Sequence, residues 1–119
     1  GPSEIETLLT GTGKVSEAAV IGVPDEIKGS AIVCVCVPMP GVAADAALQA
    51  ELSQAVVHGM GASYRPRQVL LVSDLPKTRN MKIMRRVVRA VYRGDNPGDL
   101  SSLVNPEAVA ELQGKLAKV

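Results

Sequence analysis

Asp74-Leu-Pro-Lys-Thr-Arg-Asn-Met-Lys-Ile-Met-Arg-Arg-Val-Val-Arg-Ala-Val-Tyr-Arg93 joins a proline-marked loop to a basic amphipathic segment. Met84, Val87, Val88 and Val91 recur at i, i+3, i+4 and i+7, which predicts a helix with one apolar side. In this reading Lys82, Arg86, Arg89 and Arg93 fall on the opposite side. Arg65 to Arg93 hold nine Lys or Arg against one acid, Asp74, while the rest of the chain holds four bases and eleven acids. The net charge of +1 thus hides a local positive field of the kind that attracts phosphates and other anions.

Upstream, Tyr64-Arg-Pro-Arg67 leads into an expected strand from Gln68 to Ser73. Before it, Asp45 reads as the N-cap of a helix with Leu48, Leu52, Ala55 and Val56 inward, stopped by Gly59 and Gly61. His58 falls in its last turn, where a partly charged imidazole suits the dipole. Ser30 to Val37 is nearly all apolar, the pattern of a central strand covered on both faces. Ala18 to Val23 reads as a buried strand, and Pro24-Asp-Glu-Ile-Lys-Gly29 as a polar turn. At the start, Ser3-Glu-Ile-Glu6 has the spacing of a capping box, and Ile5, Leu8 and Leu9 follow at helical spacing. Gly11-Thr-Gly-Lys14 lacks the remaining glycine pattern and the hydroxyl residue of a phosphate loop, so it reads as a helix terminator. Downstream, Asn105-Pro106 has the form of an N-cap and first helical residue, with Val109, Leu112 and Leu116 inward. The sum is α+β: a small, mainly three-stranded sheet packed with helices, in one domain over 1–119, with 94–119 as an extension ending in a helix.

Composition narrows the functional classes. An apolar fraction of 46% in 119 residues supports a packed core, not a disordered chain. Two Tyr and no Phe or Trp leave few platforms for stacking bases. Cys34 and Cys36 share a strand face but stand too far apart for an easy disulfide, so they read as small buried hydrophobes in a reducing cytosol. The single His58 has no neighbouring ligands, and no metal site is expected. The longest apolar run, Ala31 to Pro38, is too short to span a membrane, which makes a cytoplasmic location the expectation.

Several stretches together resemble one family. Gly1-Pro-Ser-Glu-Ile-Glu6, Ala19-Val-Ile-Gly-Val-Pro-Asp25 with Lys28-Gly29, and Leu75-Pro-Lys-Thr-Arg79 with Lys82-Ile-Met-Arg-Arg86 are similar to the mobile C-terminal domain of AMP-forming acyl-CoA synthetases, in the adenylate-forming superfamily. The tail Gly98-Asp-Leu-Ser-Ser-Leu-Val-Asn-Pro106 is most similar to the acetyl- and propionyl-CoA synthetase branch. The resemblance implies that Lys82 is the lysine of the adenylation half-reaction, in which a carboxylate and ATP give acyl-AMP and pyrophosphate. It implies ATP and CoA as cosubstrates, Mg2+ for the full-length enzyme, and a large N-terminal ATP- and acyl-binding domain as partner, without which the fragment is inactive. Rotation about a hinge would then present a second face to CoA, with Glu4 near it. The family's CoA-phosphate arginine aligns with Val57, which leaves Arg65 or Arg67 to supply that charge. Where the family usually has Ser-Gly or Thr-Gly before the lysine, this chain has Asn80-Met81. Related enzymes are controlled by a lysine acetyltransferase and deacetylase acting on the lysine matched by Lys82. The other arginines of the basic segment are expected to meet the large domain or solvent. Two other classes fit the residues alone: a basic nucleic-acid-binding module, opposed by the near-neutral net charge, and a standalone interaction domain.

Overall fold

The computed structural model describes residues 1–118. The elements run α1 (Pro2–Thr10), β1 (Val15–Asp25), β2 (Gly29–Pro38), α2 (Ala46–Met60), a 3-10 turn (Ala62–Tyr64), β3 (Gln68–Leu71), α3 (Arg85–Arg93) and α4 (Glu107–Ala117). The sheet order is β1-β2-β3, so the apolar β2 is central, as its composition predicts. β1 and β2 form an antiparallel hairpin. Its turn is set by Asp25, whose Oδ1 accepts the N–H groups of Ile27 and Lys28 at 2.9 Å each, and by Gly29 at φ 83°. β3 lies parallel to β2, which requires a crossover, and α2 supplies it.

Alternation along β2 separates two apolar layers. On one face Val33 and Val35 pack with Ile21, Leu70, Val87, Val88 and Leu112, which holds α3 and α4 to the sheet. On the other, Cys34 and Cys36 pack with Val20, Ile5, Leu52 and Val56, which holds α1 and α2. Each fully buried Val or Leu contributes roughly 1.5–3 kcal/mol, so both layers are needed for a domain of this size. The two thiols are fully buried. Burial, with a smaller push from Glu6, raises Cys34 to about 12 and Cys36 further still, which leaves both as unreactive thiols near neutral pH.

Local details depart from the sequence reading where a side chain finds a better partner in three dimensions. Gly1 stands at the N-cap position of α1, so Ser3 lies inside the helix and is not the cap. Glu6 turns inward instead, and its Oε2 accepts the Val20 N–H at 2.8 Å. Asp45 caps α2 as expected, accepting the Leu48 N–H at 2.9 Å. Gly61, at φ 103°, ends that helix, but Gly59 lies inside it. A Cβ on Gly59 would sit 2.6 Å from the Leu8 methyl carbons, so this glycine permits the close approach of α1 and α2. β1 starts at Val15, ahead of the expected Ala18. β3 ends at Leu71 because the Ser73 N–H donates to the Glu111 carboxylate at 2.9 Å. α4 has Pro106 as N-cap, and the Asn105 side chain is committed elsewhere. Among the described residues no helix is long and apolar enough to cross a membrane.

Candidate active-site loop

The segment between β3 and α3 folds as a tight hairpin with a buried root and an exposed tip. Leu75, Pro76 and Lys77 are buried. Lys77 pairs with Ile83 in an antiparallel bridge. The Thr78 N–H donates to the Lys82 carbonyl at 3.0 Å, the Met81 N–H to the Thr78 carbonyl at 2.8 Å, and the Met84 N–H to the Pro76 carbonyl at 2.9 Å. Met81 takes φ 62°, the one positive φ outside glycine among the described residues. The turn thus demands at residue 81 the left-handed backbone that glycine adopts freely, and a methionine adopts it at a cost of about 1–2 kcal/mol. Lys82 follows in an extended, exposed stretch three residues ahead of α3. It is therefore a loop residue, not a member of the helix face on which the periodicity placed it. A hollow of 290 Å3 lined by Thr78, Arg79, Asn80, Ser101 and Ser102 opens beside the tip.

Most of the surrounding positive charge is already committed within the domain. Arg85 forms a two-point ion pair with Glu6, Nε to Oε2 at 2.7 Å and Nη2 to Oε1, and this pairing raises the guanidinium against a smaller opposing effect of burial. Arg86 Nη1 donates to the Pro97 carbonyl at 3.1 Å and Arg89 Nε to the Gly22 carbonyl at 2.7 Å. Arg93 lies 3.7 Å from Asp95. These contacts tie α3 to α1, β1 and the following loop, while all four side chains stay exposed. Of the nine bases between 65 and 93, three side chains, those of Arg65, Arg79 and Lys82, make no hydrogen bond or ion pair among the described residues.

The remaining site residues of the sequence reading lie apart from the tip. Arg67 Nη2 donates to the Pro24 carbonyl at 3.0 Å and to Asp25 Oδ2 at 2.9 Å. The Lys28 N–H, Arg67 and the Ile27 N–H together hold the Asp25 carboxyl down at about 2. Arg67 thus braces the β1–β2 turn, while neighbouring Arg65 is exposed. Val57, in the last turn of α2, is half-buried. No hydrogen bond or ion pair joins Glu4, Arg65 or Arg67 to Lys82. Among the described residues no three His, Cys, Asp or Glu side chains stand together as a metal site would need.

A family model described as the AMP-binding enzyme C-terminal domain matches residues 4–82, ending on the lysine at this tip. The chain belongs to that family. It is 44% identical over 107 residues to an acetyl-coenzyme A synthetase of Methanothrix soehngenii, covering 90% of this chain and 16% of that protein. It is 38% identical over 113 residues to a 3-hydroxypropionyl-coenzyme A synthetase of Metallosphaera sedula, covering 95% of this chain and 17% of that one. The chain therefore spans about a sixth of the length of these relatives. An acyl-CoA synthetase of Brucella canis superposes with a TM-score of 0.69 at 35% identity, over 74% of this chain and 16% of its own. An acetoacetyl-CoA synthetase from Streptomyces lividans shares the fold over 99% of this chain and 18% of its own, with a TM-score of 0.79 at 19% identity.

Proposed function

We propose that this chain is the C-terminal domain of a longer AMP-forming acid–CoA ligase and that Lys82 is its catalytic lysine for adenylation. The observation that carries the reading is the contrast at the loop: a rigid hairpin holds up one exposed lysine without a partner, while most neighbouring cations are fastened internally. When a carboxylate attacks the α-phosphate of ATP, two anions meet and charge shifts onto the phosphate and leaving oxygens. An exposed ammonium on a four-carbon stem can reach into a cleft formed by a second domain and neutralise that charge. The relatives named for acetyl- and 3-hydroxypropionyl-coenzyme A support a short-chain acid as substrate. Mg2+ would enter with ATP, and the described residues offer it no ligand cluster. CoA would be met on another surface, where exposed Arg65 is the better candidate for its phosphates because Arg67 is held by Asp25. Glu4 would border that surface. The exposed Lys82 amine is also open to a lysine acetyltransferase and deacetylase in the cytoplasm, and acetylation would remove its charge.

The test restores the large domain and replaces Lys82 with Ala. ATP–pyrophosphate exchange dependent on the acid should fall by about 10²–10³-fold. Thioester formation from supplied acyl-adenylate should stay within a few-fold of the parent protein. Equal loss of both half-reactions would overturn the assignment of Lys82, and equal retention would overturn it too.

A further inference from the structure

Lys77 and Asn105 are the two polar side chains buried among the described residues, at 5% and 7% exposure, and they meet each other at the root of the hairpin that carries Lys82. The Lys77 N–H donates to Asn105 Oδ1 at 2.9 Å. Asn105 Nδ2 donates to Asp74 Oδ2 at 2.9 Å and to the Leu75 carbonyl at 2.7 Å. Lys77 Nζ pairs with Asp74 and lies 2.8 Å from Glu17 on β1. The backbone of the tail joins in: the Val104 N–H donates to the Lys77 carbonyl at 2.9 Å, and Leu103 bridges to Thr78. Every hydrogen-bonding group of the Asn105 amide thus has a partner in the segment 74–77. Burying an amide is costly unless it is satisfied in this way.

From this geometry we propose that Asn105 is a positioning residue for Lys82. It fixes the hairpin root from a segment that lies beyond the matched family region and never touches the lysine itself. The proposal rests on the role given to Lys82 above. Buried Leu75 and Pro76 seat the root in the core, and Lys77 Nζ ties it to Glu17 on β1. Asn105 adds three short bonds from a different element, with two tail contacts beside them, and so fixes the polar side of the root that the core contacts leave unheld. The hairpin then keeps one orientation, and the Lys82 ammonium one reach, before any substrate arrives. Preorganisation of this kind acts on the rate of the chemical step more than on ground-state binding.

The experiment uses the full-length protein with Asn105→Ala, below its melting temperature. Acid-dependent ATP–pyrophosphate exchange should lose roughly 10- to 100-fold in kcat. KM for ATP and thioester formation from supplied acyl-adenylate should each stay within about twofold, the pattern of an interaction made only in the transition state. Amide hydrogen exchange should accelerate for 77–84 and stay unchanged in β2. Asn105→Asp alone sets a carboxylate against Asp74 and should be as poor as Asn105→Ala. Adding Asp74→Asn re-forms a donor–acceptor pair and should recover part of the exchange rate. Parallel loss of both half-reactions, or faster hydrogen exchange throughout the domain, would show a general stabilising role and overturn the proposal. A Lys82→Ala protein run alongside separates the two ideas. If Lys82→Ala abolishes adenylation while Asn105→Ala leaves it intact, only the positioning role fails. If Lys82→Ala leaves it intact, the ligase assignment of Lys82 fails, and with it the positioning role.

Discussion

Lys77 and Lys82 stand five residues apart in one loop and carry the same side chain, yet the fold uses them oppositely. Lys77 is buried between Asp74 and Glu17, and Lys82 is exposed at the tip. For Lys77, burial pulls the ammonium down, but Asp74 and Glu17 outweigh it and raise it above its ordinary value. Burial likewise raises Asp74, and Lys77, the Asn105 amide and the Leu75 N–H outweigh that and hold it low. The difference teaches that a lysine in a basic run acquires its task from the partners that the rest of the chain brings to it. One is built into the base of the loop, and the other is left exposed at its tip.

The sharpest way to break this comparison is to truncate both lysines and measure urea unfolding. Losing one partner of a buried ion pair costs roughly 3–5 kcal/mol. Here Glu17 is 33% and Asp74 46% exposed, so water takes up part of the uncompensated charge. Lys77→Ala should therefore cost about 2 kcal/mol, and Lys82→Ala should stay within about 0.5 kcal/mol. Similar midpoints for the two would dissolve the contrast. Within α3, Arg85→Ala should destabilise by about 1–2 kcal/mol, because Glu6 is only 12% exposed and keeps a single N–H donor afterwards. Arg86→Ala loses one exposed contact to a carbonyl and should cost about 0.5 kcal/mol or less. Met81→Gly should move the other way. It removes the left-handed strain at φ 62° but adds chain entropy to the unfolded state, for a net gain of about 0.5–1 kcal/mol at an unchanged denaturant slope. A loss of stability would mean that the methionine side chain is needed where it lies.

The smallest expected effect concerns pH. Asp25 is held down at about 2 in the folded chain, against an ordinary value of about 3.9. Its contribution is therefore complete above about pH 4 and is lost as pH falls toward about 2. Asp25→Asn should flatten that part of the acid-stability curve, and carboxyl titration by NMR should find the low value in the parent chain. An Asp25 that titrates near 4 would remove Arg67 from the set of anchored arginines.

Regular elements were legible from sequence because their signals are local. The run Ser30 to Val37 marks a central strand, Asp45 caps α2, and Val87, Val88 and Val91 give the buried face of α3. The family motifs name Lys82 as the lysine proposed above for adenylation. The missed features all depend on groups far apart in the chain. Ser3 and Glu6 have the spacing of a capping box, but Glu6 is drawn to Arg85, 79 residues away. Asn105 stands before a proline like a helix cap, but three groups in Asp74 to Lys77 compete for its amide and win. Helical spacing carried Lys82 onto α3 because nothing in the periodicity records the positive φ at Met81 that turns the chain first. That departure from glycine was itself visible in Asn80-Met81, and it marks the residue where the turn is tightest.

The contact between Asn105 and the hairpin also sets an order of events during synthesis. The β1–β2 hairpin closes across neighbouring residues and can form as soon as it clears the ribosome. Lys82 emerges later, and its support emerges later still, since residue 105 is added 23 positions downstream. At roughly 5–20 residues per second this is a delay of about 1–5 s. Through that interval the lysine is present but its root is unfastened. The tail therefore fastens the hairpin last, together with α4, whose Val109 and Leu112 complete one of the two apolar layers.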